Sequence, residues 1–228
     1  GNMISSGNRE LITYLVKNNH VKAIVTTASA IEEDVIKCIK PFHLGSFEAK
    51  GSFLSENFIG RIGNIFVPAD RYLYLEKFLN ELFPEIYKKQ KENNKILSAN
   101  EVAREIGFLI EKNVHTSSKC KESFLYWASK NKIPVFCPGI TDGAIGDIST
   151  FFKRNHQDFA IDITGDNKLL TSMLMNEETA ASLILGGGIS KHFLLNAAIF
   201  RDGFEYSIYL TTAIEFDGSD SGGDQEEA

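Results

Sequence analysis

The chain has few cysteines, and no two of them lie near one another in sequence. Cys38, Cys120 and Cys137 are an odd number among 228 residues, and no Cys-x-x-Cys pair occurs. Disulfide frameworks use even sets of cysteines, and structural zinc sites use closely spaced ones, so the sequence predicts neither. A reducing, cytoplasmic location is therefore the expectation.

A long apolar run and an excess of basic residues are also missing. The apolar stretch at residues 180–185 is too short to cross a bilayer, and the first residues do not resemble a targeting segment. Lys and Arg number 24 against 30 Asp and Glu, which gives a formal net charge of −6. Phosphate binding needs clustered cations, so we expect neither a nucleic acid nor a membrane as partner. An acidic balance suits cationic ligands.

The common nucleotide-binding fingerprints are absent. Neither G-x-G-x-x-G nor G-x-x-x-x-G-K-[ST] occurs in the sequence. Gly186, Gly187 and Gly188 do precede a predicted helix, where backbone amides could approach a phosphate. Three glycines in a strand-to-helix turn also serve tight packing, so both interpretations remain open.

What the sequence does contain is a repeated alternation of strand and helix patterns. Strands are predicted at residues 21–25, 133–136, 159–163, 182–185 and 206–210, and residues 42–68 are predicted to form loops or a hairpin. Helices are predicted at residues 31–40, 144–154, 167–176 and 191–201, and from about residues 70 and 98. Apolar strands between helices are typical of a parallel sheet covered on both faces. The predicted fold class is α/β, a single domain over residues 1–228 with a doubly wound, mostly parallel sheet.

Acidic residues recur in short loops, or at helix starts, that follow predicted strands. They are Glu32, Glu33, Asp142, Asp147, Asp217 and Asp220. Open α/β sheets bind ligands at the carboxyl ends of their strands, so these side chains are expected to converge there. An ammonium group that loses its water needs several oxygen atoms in exchange, so the pattern indicates a site for a polycation beside a nucleotide.

Each acidic residue also has a structural interpretation. Asp142 or Asp147 could cap a helix, and Glu32 and Glu33 could interact favourably with a helix dipole. The acidic loop at residues 211–222 could belong to a solvated tail.

His192 follows the glycine turn and is a candidate general acid or base, or a capping or packing residue. His43, His115 and His156 have no metal-ligand spacing, so no metal is predicted.

Several longer motifs occur in one order along the chain. They are Asn-Met-Ile-Ser-Ser-Gly at residues 2–7, Val-Thr-Thr-Ala at 25–28, Ile-Glu-Glu-Asp-Val-Ile-Lys-Cys at 31–38, Arg-Ile-Gly-Asn at 61–64, residues 138–147, residues 186–192, and Glu-Phe-Asp-Gly-Ser-Asp-Ser-Gly at 215–222. With these motifs the chain resembles the deoxyhypusine synthase family over almost its whole length.

The resemblance implies an NAD-dependent transfer of the aminobutyl group of spermidine to a lysine of the hypusine-containing translation factor precursor, through an imine on an enzyme lysine. It implies NAD contacts at Asn2, Ser5, Thr27, Ala28, Glu33, Asp142, Gly187, Thr212 and Ala213. It implies spermidine contacts at Glu32, Asp147, His192, Gly218, Ser219 and Asp220, with His192 and Asp147 as catalytic residues. It further implies sites at a dimer interface within a homotetramer, or a heterotetramer with a paralogue.

The sequence departs from the family pattern in two places. Ser29 and Ala30 stand where the family usually has two glycines, which adds Cβ atoms near the expected cofactor. The family's imine-forming lysine lies in a Trp-Gly-Lys segment shortly after the acidic loop, but no lysine follows Lys191 here. Without that nucleophile, and without the family's N-terminal and C-terminal segments, these 228 residues are expected to be inactive on their own.

Two alternative functions follow from these departures. The chain could be a catalytically inactive paralogous subunit that activates a catalytic partner. It could also be a sensor that binds NAD and performs no chemistry.

Overall fold

The computed structural model of the chain describes residues 2–223; Gly1 and residues 224–228 lie outside this part. The helices are α1 (Arg9–Lys17), α2 (Ala28–Ile39), α3 (Gly51–Glu56), α4 (Asp70–Asn93), α5 (Ala99–Lys112), α6 (Phe124–Asn131), α7 (Ala144–Asn155), α8 (Ile163–Met175) and α9 (Ile189–Ala198). The strands are β1 (Ile24–Val25), β2 (His43–Leu44), β3 (Ile59–Ile62), β4 (Ile65–Pro68), β5 (Val135–Phe136), β6 (Ala181–Leu185) and β7 (Tyr206–Leu210). The chain is thus a mixed α/β protein. It divides into two compact units, one ending at Ile161 and the other beginning at Asp162.

In the first unit, β1 and β5 form a parallel pair. Ile24 is opposite Val135, and Val25 is opposite Phe136. Helix α2 begins three residues after β1, with Thr27 in extended conformation as its N-cap. The residues at the start of α2 therefore lie at the carboxyl end of a parallel strand, as the sequence predicted.

The core of this unit is built largely from helices. The buried face of α4 repeats at helical spacing through Leu75, Phe78, Leu79, Leu82, Phe83 and Ile86. Helix α5 adds Ile106 and Ile110 to the same core, and it begins with a capping box between Ser98 and Glu101. Burial of these apolar helix faces contributes more to stability than the pairing of the two-residue strands β1 and β5.

Residues 42–68 form a small antiparallel sheet with the strand order β2-β4-β3. Strands β3 and β4 pair from Ile59 opposite Pro68 to Ile62 opposite Ile65. Helix α3 precedes β3 in the chain. The predicted hairpin is confirmed for β3 and β4, whereas the helix in this segment was not predicted.

The second unit contains another parallel pair, β6 with β7. Their register runs from Ala181 opposite Tyr206 to Leu185 opposite Leu210. Helix α8 begins after Asp162, whose Oδ1 accepts hydrogen bonds from the amides of Thr164 and Gly165 at 2.9 and 3.0 Å. Helix α9 follows the glycine turn and packs against α8.

The strand predicted at residues 159–163 is wrong. Phe159 is buried against the rings of Phe83 and Phe152, and the side-chain amide of Gln90 donates to the carbonyl of Ala160 at 2.6 Å. The apolar run thus packs against α4 and α7, and a side chain of α4 occupies a backbone carbonyl that would otherwise bond to a neighbouring strand. Among the helices described between residues 2 and 223, none is long and apolar enough to cross a membrane.

Candidate functional site

Glu32 and Glu33 are two adjacent carboxylates that the fold buries. Their residues are only 5% and 4% exposed, respectively. Both lie beyond the first turn of α2, which contains no acidic residue. The favourable effect of a helix dipole is confined to the first turn, so it does not explain why these carboxylates are buried.

Glu32 links α2 to the start of α7. Its Oε1 accepts a hydrogen bond from the amide of Ile145 at 2.7 Å. A Cβ atom at Gly143 would lie 2.5 Å from the same oxygen, so the glycine permits the close approach of the carboxylate. Burial raises the pKa of Glu32; the amides of Ile145 and Ala144 partly offset this, whereas Asp147 and Asp142 raise it further.

The structure therefore brings Asp142 and Asp147 near Glu32, and it leaves both aspartates exposed. Neither caps α7 through its side chain, because Gly143 occupies the N-cap position and Glu32 supplies the acceptor. Asp147 lies in the first turn of α7. An exposed carboxylate beside a buried one can bind the ammonium group of a ligand at its solvent-facing side.

Glu33 has an unused hydrogen-bonding atom. Its Oε2 is buried and has no hydrogen-bond partner. Burial raises the pKa of Glu33 to about 7, although the Ser5 hydroxyl and the Lys37 ammonium stabilise the charged form, and Glu32 raises the pKa slightly. Buried polar atoms are normally paired, so this oxygen fits a ligand hydroxyl or another donor.

The N-terminal segment lies against the same face of α2. Ser5 is buried, and its Oγ donates to the carbonyl of Asn2 at 3.1 Å. The Lys37 ammonium donates to the carbonyls of Ile4 and Ser5 at 2.5 and 3.0 Å. Asn2 is exposed. Of the two predicted cofactor residues here, Ser5 is thus held beside Glu33, and Asn2 is hydrogen-bonded to Ser5.

The residues that replace the family's two glycines are accommodated locally. Ala28 and Ala30 are buried in the hydrophobic core. The Ser29 hydroxyl lies 2.9 Å from Thr27 Oγ1, close enough for a hydrogen bond. The methyl group of Ala30 therefore packs among core side chains, which removes part of the expected conflict with a cofactor.

Tyr72 is a neighbour of the carboxylates that sequence reasoning missed. It lies in the first turn of α4 and is 39% exposed. Burial raises the pKa of its phenol, and Glu32 and Glu33 raise it further, which places the ring near both carboxylates. No motif surrounds Tyr72, so only the packing of α4 on α2 reveals it.

In the second unit, the glycine turn joins β6 to α9. Gly186 and Gly188 have φ angles of +85° and +72°, in the left-handed region that favours glycine. The amide of Gly186 donates to the carbonyl of Leu210 at 2.8 Å. A Cβ atom on Gly187 would overlap Ser221 and lie 2.9 Å from its Cα. Gly187 therefore permits close packing against Ser221, in agreement with the packing interpretation of this turn.

His192 lies in the first turn of α9 and is exposed. Its amide donates to the carbonyl of Gly188 at 3.1 Å. The exposure excludes a role for its ring in the core and leaves the imidazole accessible for proton transfer. The preceding Lys191, which the sequence did not single out, is buried with its Nζ 5.2 Å from the centroid of the Tyr209 ring.

The acidic loop is folded locally. The amide of Ala213 donates to Thr211 Oγ1 at 3.0 Å, and the amide of Ile214 donates to Asp217 Oδ2 at 2.9 Å. Asp217 therefore accepts a hydrogen bond within a local turn, a contact that the solvated-tail interpretation did not include. Thr212, Gly218 and Ser219 are exposed. The side chain of Asp220 lies outside the described part of the structure.

Taken together, these features define the class of the protein. It is an α/β protein whose parallel strand pairs are followed by buried carboxylates in one unit and by a glycine turn with an accessible histidine in the other. The deoxyhypusine synthase family model matches residues 1–228. The chain belongs to the deoxyhypusine synthase family.

Individual relatives agree with this assignment. The chain is 48% identical over 228 residues to a protein of Methanocaldococcus jannaschii named "Probable deoxyhypusine synthase", covering 99% of the chain and 69% of the relative. It is 40% identical to the deoxyhypusine synthase of Candida glabrata over 239 residues, covering the whole chain and 62% of the relative. A crystal structure of a protein assigned as a deoxyhypusine synthase from Entamoeba histolytica has a TM-score of 0.71 at 27% identity, over 94% of the chain and 64% of that structure. The chain thus spans between 62% and 69% of the lengths of these relatives.

Proposed function

We propose that the protein acts as a deoxyhypusine synthase, transferring the aminobutyl group of spermidine to a lysine of the hypusine-containing translation factor precursor, with NAD as cofactor. The family match over residues 1–228 carries the proposal. The buried carboxylate pair Glu32 and Glu33 supports it chemically, because the ammonium groups of spermidine and the hydroxyl groups of NAD are hydrogen-bond donors that need oxygen acceptors.

The first unit fits a dinucleotide. The orphaned Glu33 Oε2 accepts a ligand hydroxyl, while Ser5, Thr27 and Asp142 offer further polar atoms. The resemblance adds Asn2 and Ala28 as proposed cofactor contacts in this unit. It separately assigns Gly187, Thr212 and Ala213 of the second unit to NAD. When bound, NAD supplies the acceptor for a hydride from the amine substrate.

The amine would be held by carboxylates. Asp147 is exposed, and Glu32 lies beside it with one oxygen committed to Ile145. We assign to them the charged nitrogens of spermidine, because a carboxylate replaces the water that an ammonium loses on binding. For the second unit, the resemblance separately proposes spermidine contacts at Gly218, Ser219 and Asp220.

His192 would move the proton. An accessible imidazole can accept a proton from an amine near neutral pH, which is the task of a general base when a carbon–nitrogen bond is oxidised. The imine-forming lysine implied by the family has no counterpart after Lys191 in these 228 residues. The transfer step is therefore proposed only for a form of the protein in which such a lysine is present.

Two structural expectations accompany this function. A doubly wound, Rossmann-like sheet within one NAD-binding domain is proposed. In the described residues the parallel pairs β1–β5 and β6–β7 have the strand direction that it requires, in two separate two-stranded sheets. A homotetramer, or a heterotetramer with a paralogue, is testable by light scattering of the purified protein. A cytoplasmic location is likewise proposed.

The deciding experiment measures ligand binding and transfer separately. Calorimetry with NAD and with spermidine is expected to show binding of both ligands. The full-length product is expected to transfer label from spermidine to the precursor protein. NAD binding without spermidine binding would favour the sensor. Transfer that requires a paralogous chain would favour the activating subunit. The absence of binding to either ligand would overturn the proposal.

A further inference from the structure

The Lys37 side chain connects α2 to the N-terminal segment. Its ammonium donates to two consecutive backbone carbonyls, Ile4 at 2.5 Å and Ser5 at 3.0 Å. Both Ile4 and Ser5 are buried, so their carbonyl groups need hydrogen-bond partners from the protein. Lys37 meets that need from a helix that also carries Glu33.

The surroundings of Lys37 suit a fixed charge. Its side chain is half-buried, and burial lowers the pKa of the ammonium. Arg9 lowers it further, whereas Glu33 and Asp34 favour the charged form. A partly buried ammonium stays charged when its N–H groups donate hydrogen bonds, and here they donate to backbone carbonyls.

A second tie holds the same segment to the same helix. Arg9 Nε donates to Asp34 Oδ1 at 2.7 Å, and Arg9 Nη2 donates to the carbonyl of Asp34 at 3.0 Å. Arg9 therefore fixes the start of α1, and Lys37 fixes the turn before it. Ser5, whose carbonyl accepts from Lys37, has its hydroxyl beside Glu33.

We propose that Lys37 is a positioning residue for the cofactor: its two hydrogen bonds to the carbonyls of Ile4 and Ser5 hold residues 2–6 in the conformation that presents Ser5 beside Glu33, with Asn2 bonded to Ser5. This inference rests on the proposed function, because those three residues are its proposed NAD contacts. Lys37 itself touches backbone and acts through the segment.

The chemistry explains why a lysine serves this role. An ammonium on a flexible stem can direct separate N–H groups at two carbonyls, whereas a methionine of similar length offers none. An arginine would retain several donors in a planar fork. A glutamine offers a neutral amide with less reach. The variants therefore form a graded series in donor capacity at one position.

The test combines two measurements on the Lys37→Met, Lys37→Gln and Lys37→Arg variants. Hydrogen exchange of the ligand-free protein reports on the amides of Ser6 and Asn8, which donate to Asn2 and Met3. Calorimetry reports on NAD affinity. Lys40→Met is the matched control, since Lys40 follows α2 directly and pairs with Asp70 at 2.9 Å instead of the segment.

Lys37→Met is expected to accelerate exchange in residues 2–8 and to raise the NAD Kd by about tenfold, the scale of losing one charge-assisted hydrogen bond. Lys37→Arg is expected to restore most of both signals, and Lys40→Met to leave both unchanged. If Lys37→Met fails to fold, Lys37→Gln, whose neutral amide is the milder change, gives the same comparison. Unchanged exchange and unchanged affinity in these variants would overturn the inference, provided that the unaltered protein binds NAD. If the unaltered protein binds no NAD, the proposed function fails, and the exchange data alone decide whether Lys37 orders the segment.

Discussion

The Glu32 carboxylate accepts the amide proton of Ile145 at 2.7 Å, although 113 residues separate the two along the chain. One carboxylate therefore has a structural role, since it supplies the acceptor that α7 lacks at its own N-cap. The same group is proposed to face the amine substrate. Glu32 thus has a helix-capping role and a proposed role in binding the amine, and variants at Glu32 must be designed to separate the two.

Replacing Glu32 by alanine is expected to destabilise the protein by about 1–2 kcal/mol, the usual cost of losing a helix cap. Glu32→Gln keeps an oxygen acceptor for Ile145 and is expected to cost less. Urea denaturation measures the difference between the two variants.

Asp147→Asn is the matched control for this pair, because Asp147 is exposed and makes no side-chain cap. It is expected to change the free energy of unfolding by less than about 0.5 kcal/mol and to weaken spermidine binding. Equal stability of the alanine and glutamine variants at Glu32 would contradict the capping role.

Glu33→Gln is expected to stabilise the protein at alkaline pH. The pKa of Glu33 is raised from 4.5 to about 7, so the folded state binds a proton more tightly than the unfolded state. The stability that this protonation contributes is complete below the unfolded pKa and is lost as pH rises through about 7. The total change is at most about 3 kcal/mol. Glutamine does not titrate, so the variant should lose this dependence.

Thermal unfolding at about pH 5 and about pH 8 checks the prediction. The gain of Glu33→Gln over the unaltered protein should appear mainly at the higher pH, and NAD affinity should fall because an acceptor is lost. The exposed Glu76→Gln on α4 serves as the control. A stability gain that is equal at both pH values would refute the role of Glu33 ionisation.

Much of the first unit could be predicted from periodicity. Helices such as α7 showed a clear apolar stripe, and the order of strand and helix around Glu32 followed from the strand-to-helix pattern. The strand at residues 159–163 could not be judged this way. Its apolar run is buried against α4 and α7 through Phe159, and Gln90 bonds to its backbone. A short apolar run has the same sequence pattern in a strand and in a buried connection, so periodicity cannot distinguish the two.

The candidate site was predictable only in part. The sequence placed Glu32 and Glu33 after β1, but it could not show that Glu32 caps a distant helix or that Tyr72 lies near both carboxylates. Those relations depend on tertiary packing between elements far apart in sequence. Asp217 is a further example: it accepts a local turn hydrogen bond from the amide of Ile214, whereas the sequence analysis offered only a ligand site or a solvated tail for this loop.

Gly187→Ala is expected to disturb the second unit by roughly 1–3 kcal/mol, because the new methyl group would overlap Ser221. Adding Ser221→Gly should restore part of the loss, since it removes the overlapping side chain but leaves the Cα at 2.9 Å. Gly51→Ala is the control, because its Cβ would meet nothing within 4 Å. Thermal unfolding of the single and double variants measures the coupling, and purely additive effects would exclude direct contact.

Asp34→Asn is expected to destabilise the protein by about 3–5 kcal/mol, the scale of breaking a buried ion pair. Asp34 is fully buried and accepts hydrogen bonds from Arg9, from the Ser123 hydroxyl at 2.6 Å and from the Leu125 amide at 3.1 Å. Asparagine keeps one acceptor oxygen but removes the buried charge, and the Arg9 guanidinium then has the exposed Glu122 carboxylate, whose Oε2 lies 3.5 Å from Nη1, in its place. Denaturation in urea measures the loss.

A thiol assay separates this loss of charge from a general loosening of the fold. Burial, together with the Asp34 charge, raises the pKa of Cys38 to about 12, although Arg9, whose Nη2 lies 2.9 Å from Sγ, partly offsets the shift. Removing the Asp34 charge should lower this pKa and increase alkylation of Cys38 under native conditions, while labelling of the half-buried Cys120 stays constant. If both cysteines gain reactivity together, the fold has loosened instead, and the electrostatic account of Cys38 is wrong.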